Sequence, residues 1–394
     1  MKISRRVAGI SPSPTMEGAK KAAQMRAQGL DVLSFAVGEP DFPTPQNIVA
    51  AAKRALDEQK TKYTNASGID ELKQAVVDST RDSIGVEYDV SQVCISNGAK
   101  HALSNVFATL LDPGDEVIML APYWVTYPEI IGVYGGQIVP VMTSGENDFQ
   151  PDLNEVAAAV TDSTVAICIN SPNNPSGGVL ADDVLEGIAK IVVDNDLVMV
   201  SDEIYKDILF DGMDYTSPAS LPGMKERTII IDGVAKSYAM TGWRIGWSIA
   251  EAEFISAIGS LQSQQTSNAN SIAQWAAVEA LTGPQDAVKE MRNAFERRRD
   301  YIIPALREIP GVECAMPHGA FYAFPDISSF FGQTLGGIRI NTSQDMTNYL
   351  LENAHVSMVH GSAFGAEGYM RLSFACSMEE IEEGVNRIAD ALSQ

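Results

Sequence analysis

Cysteine is scarce in this chain and forms no C-x-x-C pair: Cys94, Cys168, Cys314 and Cys376 stand far apart. That excludes a dithiol redox motif and a zinc ribbon, and it fits a reducing compartment, so a cytoplasmic protein is expected. Histidine is equally sparse, at His101, His318, His355 and His360, with no spacing that gathers a metal site, and no metal is expected. Basic residues are few: 28 Lys and Arg face 51 Asp and Glu, a formal net charge of -23. Such a surface repels phosphate backbones and anionic bilayers, which argues against nucleic acid and membrane partners. No apolar run approaches the roughly 20 residues of a membrane span. The common nucleotide loops are missing too, with no G-x-G-x-x-G after a strand-like run and no G-x-x-x-x-G-K-[ST].

What remains is an ordinary globular composition, 394 residues with 45% hydrophobic and 20% charged. From about residue 90 the chain alternates short apolar runs with amphipathic stretches. Strands are expected at Val93-Cys94-Ile95-Ser96, at 116–120, 164–169 and 197–200, and at Thr228 to Ile231. Helices are expected through Ala102, Leu103, Val106 and Leu110, and from about Asp182. Nearly all-apolar strands alternating with helices imply an α/β fold, a large domain whose mostly parallel sheet is flanked by helices. A smaller α+β domain built from both chain ends is expected beside it. Its strands would be Val312-Glu313-Cys314, Ala320 to Phe324 and Met370 to Phe374, followed by a helix carrying Ile381, Val385, Ile388 and Leu392 on one face. The domains read as 1–45 (arm and part of the small domain), 46–299 (large) and 300–394 (small).

In open α/β sheets ligands bind beyond the carboxyl ends of the strands. There the sequence places Asn97-Gly98-Ala99-Lys100, Pro122-Tyr123-Trp124, Asn170 to Gly177, Ser201-Asp202-Glu203-Ile204-Tyr205, and Lys236 with Arg244. One sheet edge thus receives an anion nest at a helix start, an aromatic plate, an amide, a carboxylate with a phenol, and an amine with a guanidinium. An amine to hold an aldehyde and a cation to hold a phosphate are what pyridoxal phosphate requires.

With Gly38-Glu39-Pro40-Asp41-Phe42, Thr61-Lys62-Tyr63 and Arg371-Leu372-Ser373, these motifs resemble the fold-type I pyridoxal-phosphate aminotransferases, in particular the bacterial aspartate aminotransferase group, over nearly the whole chain. The resemblance implies pyridoxal 5'-phosphate held as a Schiff base on Lys236. It implies Asp202 at the pyridinium nitrogen, Tyr205 and Asn174 at the phenolate oxygen, and Trp124 stacked on the ring. Gly98, Ala99 and Lys100, through backbone N–H groups, and Arg244 would hold the phosphate. Tyr63 would reach the phosphate of the other subunit, making a homodimer with shared sites. Arg371 would clamp the substrate α-carboxylate, helped by Asn174, Trp124 and the Gly38 backbone. Lys100 with Thr15 would take the distal carboxylate. Ala235 and Gly233 stand where many relatives carry hydroxyl residues, which implies a slightly looser phosphate site.

The implied reaction is ping-pong transfer of the amino group of L-aspartate to 2-oxoglutarate through a pyridoxamine phosphate form, with amino acids and 2-oxo acids as partners. A prephenate, aromatic or broader-specificity aminotransferase, or another reaction of the cofactor such as β-elimination, remains the alternative. A cofactor-sensing regulator is disfavoured by the acidic charge.

Overall fold

A computed structural model of the chain describes residues 1–393, apart from the side chain of Arg5. The first strand, β1 (Leu33–Ser34), stands apart from the main sheet. That sheet has seven strands: β2 (Val93–Ser96), β3 (Glu116–Ala121), β4 (Gln137–Met142), β5 (Thr164–Asn170), β6 (Val198–Asp202), β7 (Thr228–Gly233) and β8 (Gly246–Ile249). Their order is β2-β8-β7-β6-β5-β3-β4, and only β8 runs antiparallel to its neighbours. β2 and β7 are buried along their whole length, as strands covered by helices on both faces must be.

The expected mostly parallel α/β sheet is therefore present. Two of its strands were not anticipated. β4 carries Pro140 and is half-exposed at the sheet edge, where a residue without an N–H is tolerated. β8 follows Arg244, which has a left-handed φ of 58°, and inserts between β2 and β7.

The remaining strands are short: β9 (Tyr322–Ala323), the hairpin β10 (Thr334–Leu335) with β11 (Ile338–Arg339), β12 (Val356–Ser357), β13 (Val359–His360) and β14 (Met370–Ser373). β1 pairs in parallel with β12, so a segment near the start of the chain is stitched to one near its end. The expected strand at 312–314 is absent as a strand; Glu313 makes a single bridge to Asp326. The last helix, Met378–Leu392, has the expected buried face of Ile381, Val385, Ile388 and Leu392. Ser377 and Glu380 cap it reciprocally, satisfying N–H groups that a helix start leaves free.

One apolar cluster joins Phe35, Ile204 and Tyr205 to Phe321 and Tyr322, so the short-stranded unit packs against the carboxyl edge of the main sheet. Among the described residues no helix is long and apolar enough to cross a membrane.

Candidate active site

A cavity of about 410 Å³ opens at that edge. It gathers Thr15, Gly38, Ala99, Lys100, Trp124, Asn174, Asp202, Tyr205, Lys236, Arg244 and Arg371. Two expected residues do not line it. Gly98 sits behind Arg244, and Tyr63 lies outside the lining with 91% of its surface exposed.

The strand ends fix the two central charges. Asp202 closes β6 at 3% exposure, where Tyr127 donates its hydroxyl to Oδ2 at 2.7 Å and the Ile204 N–H reaches Oδ1 at 3.3 Å. Burial raises its pKa to about 6 against those hydrogen bonds. Lys236 follows β7 in the loop after Gly233, and its Nζ donates to the Gly38 carbonyl at 2.6 Å. Burial, then the charge of Arg371, lowers this ammonium to about 8. Near neutral pH a useful fraction of Lys236 is the free amine, a nucleophile and a base.

The anion cradle lies where β2 turns into the helix Ala99–Leu110. Gly98 enters differently from expectation. Its N–H is taken by the Ser96 carbonyl at 2.8 Å, which leaves the Ala99 and Lys100 N–H groups as the helix's free donors. Gly98 supplies room instead: its φ is 86°, and a Cβ there would lie 2.6 Å from Arg244 Nη2. Arg244 is braced by the Thr241 carbonyl at 2.8 Å, and Thr241 in turn donates to Glu39. Lys100 stands 4.8 Å from the Trp124 ring centre, and partial desolvation followed by Arg244 lowers its pKa.

Arg371, on β14, is 2% exposed. It donates through Nη1 to Asn174 Oδ1 at 2.8 Å and through Nη2 to the Ala36 carbonyl at 2.5 Å, and its Nε finds no acceptor among the described residues. The guanidinium lies over the rings of Tyr322 and Phe364 at 4.7 and 5.0 Å. Arg371 lines the cavity, and a guanidinium so placed can receive a carboxylate. Tyr205 shares a 2.7 Å hydrogen bond with Tyr322, and burial holds its phenol protonated.

Sequence reasoning missed Tyr127, Tyr322 and the particular part of Asn170. The two tyrosines sit in apolar surroundings and read as core. Asn170 had a signal: it is the polar terminus of an apolar strand. It ties the site together, accepting the Asn174 N–H at 2.8 Å and donating to the Asp202 carbonyl at 3.0 Å.

Comparison with known proteins agrees with this geometry. The family model of class I and II aminotransferases matches residues 30–388. A probable aspartate/prephenate aminotransferase of Aquifex aeolicus is 45% identical, over 100% of this chain and 99% of its own. An aspartate aminotransferase of Bacillus sp. YM-2 is 42% identical over 98% of each. Among solved structures, the aspartate aminotransferase of Rhizobium meliloti superposes with a TM-score of 0.97 at 38% identity, covering 100% of this chain and 99% of that one. The Thermus thermophilus aspartate aminotransferase, solved with maleate, gives 0.93 at 41% identity, covering 99% of this chain and 100% of that one. On full-length similarity in both sequence and fold, this chain belongs to the class I and II aminotransferases.

Proposed function

We propose that this aminotransferase moves the amino group of L-aspartate to 2-oxoglutarate with pyridoxal 5'-phosphate, as a cytoplasmic homodimer with shared sites. The observation that supports the reading is a single cavity lined by two separate cations, buried Arg371 and more open Lys100, besides the cradle of Arg244 and the free helix N–H groups. Two carboxylates and a phosphate answer those three positive regions. The Thermus relative, solved with the dicarboxylate maleate, supports it.

The residues fit the cofactor. Ala99, Lys100 and Arg244 would hold the phosphate, Trp124 would cover the ring, Asp202 would accept the ring N–H, and Tyr205 with Asn174 would meet the ring oxygen. When bound, the cofactor supplies an aldehyde that captures amines and a ring that draws electrons from the substrate Cα. Asp202 is desolvated and has no ion-pair partner among the described residues, so a positive ring nitrogen would satisfy it well. Arg371 orients the α-carboxylate, with Asn174 fixing the plane of its guanidinium. Lys236 Nζ, deprotonated at modest pH, takes the proton from the substrate Cα. Lys100, with Thr15 in the same cavity, would select substrates bearing a second carboxylate. Tyr63, exposed on one protomer, would complete the partner's phosphate site. The domain division at 46–299, with 1–45 and 300–394 as the small domain, belongs to the same reading, and the parallel pairing of β1 with β12 supports it.

A second acceptor class, prephenate-type oxo acids, is favoured by one feature. The distal cation is a partly exposed lysine and not a braced guanidinium, and the Aquifex relative is named for both substrates.

The test is Lys100→Ala. Losing a distal contact should raise KM for aspartate about tenfold or more while leaving alanine nearly unchanged. Equal effects on both amino acids would remove Lys100 from substrate recognition, and with it the dicarboxylate assignment.

A further inference from the structure

Three carboxyl groups crowd two adjacent strand ends, and each is satisfied differently. β6 and β7 pair with Asp202 opposite Ile231, which places Asp232 one step beyond that register. Asp202 takes the Tyr127 hydroxyl and the Ile204 N–H. Glu203 takes the hydroxyls of Ser201 at 3.0 Å and Ser217 at 2.6 Å. Among the described residues, only Asp232 of these three has an ion-pair partner. Lys206 Nζ donates to its Oδ2 at 2.5 Å, with the two side chains 11% and 7% exposed. The other oxygen, Oδ1, accepts the Gly233 N–H at 2.6 Å, at the start of the loop that carries Lys236. Burial opposes the Lys206 charge, but Asp207 (3.5 Å away) and Asp232 outweigh it and hold the lysine protonated. Lys206 does not line the cavity.

A buried carboxylate at Asp232 is useful for the turn and harmful to its neighbour. Two uncompensated carboxylates on adjoining strand ends compete for a proton, and the loser becomes a neutral acid. A neutral Asp202 loses its attraction for a positive ring nitrogen. We propose that Lys206 is a positioning residue for the reaction: its ammonium neutralises Asp232, so that Asp232 can hold the turn into Lys236 while Asp202 stays ionised where it faces the cavity. The inference rests on the cofactor reading above.

The probe is pyridoxal 5'-phosphate added to apoenzyme of the full chain, followed by quenching of tryptophan fluorescence. Lys206→Met should raise the dissociation constant about tenfold or more, an uncompensated buried charge being worth at least that. In the loaded enzyme it should lower kcat while the aspartate KM stays within about threefold. Adding Asp232→Asn should restore the dissociation constant to within about threefold, because the amide still accepts the Gly233 N–H without a charge. If Lys206 only fills space, the double variant binds as weakly as the single one, and the proposal is overturned. Should Lys206→Met not fold, Asp232→Asn alone decides. The proposal requires it to bind the cofactor at least as tightly as the unaltered protein, and binding about tenfold weaker would refute it. Unaltered apoenzyme that takes up no pyridoxal phosphate would overturn the cofactor reading itself, and this inference with it.

Discussion

At the scale of single residues, the site keeps charges in places that cost stability. Asp202 has a pKa of about 6 in the fold against 3.8 in water, so ionising it costs more in the fold than in the unfolded chain. The cost is fully present above about pH 6 and disappears as pH falls through 3.8, where both states are protonated. Asp202→Asn should therefore make the apoenzyme more stable near neutral pH, by up to about 3 kcal/mol, with the gain vanishing near pH 4. The same change should weaken cofactor binding, the usual exchange of stability for function. Urea unfolding of both apoproteins at the two pH values checks this, and equal stability at neutral pH would show that Asp202 carries no such strain. Charged residues like this one were legible because they interrupt apolar runs at strand ends. Tyr127 and Tyr322 were not, because a phenol inside an apolar stretch has the hydrophobic body of a core residue and shows its polar partner only in three dimensions.

At the scale of elements, the cradle depends on how closely β8 approaches the turn after β2. A Cβ on Gly246 would sit 2.3 Å from the Ala99 nitrogen and 2.7 Å from the Gly98 carbonyl carbon. Those are backbone atoms and cannot swing aside, so Gly246→Ala must push the helix start away from Arg244 or separate β8 from β2. We expect a loss of at least about 2 kcal/mol in unfolding free energy together with weaker phosphate-dependent cofactor binding. A variant of unchanged stability would mean that the turn is free to move. Strands such as β2, β5 and β7 could be read from their apolar runs. β8 is as short and as buried as β2, but Gly246-Trp247-Ser248-Ile249 is no continuous apolar run and starts from a left-handed turn. The segment 312–314 misled in the opposite direction: its alternation suited a strand, but only Glu313 finds a bridging partner.

At the scale of the whole molecule, Arg371 from β14 meets Asn174 from the loop after β5, so the proposed α-carboxylate clamp requires the short-stranded unit to pack on the main sheet. Full exposure of Tyr63 in the single chain, with Leu56 54% exposed nearby in sequence, fits a surface completed by a second copy. Mixing Lys236→Ala protein with Tyr63→Phe protein under conditions of subunit exchange should restore part of the lost activity, since hybrids carry one site with neither change. Activity that never exceeds the sum of the parents would argue for independent sites. The most direct measurement is the half-reaction. Pyridoxal phosphate-loaded enzyme is given L-aspartate with no oxo acid while its visible absorption and released oxaloacetate are followed. Bleaching of the yellow absorption with one oxaloacetate per site, reversed by 2-oxoglutarate, is the result this account predicts. Yellow enzyme that aspartate leaves unchanged would contradict it.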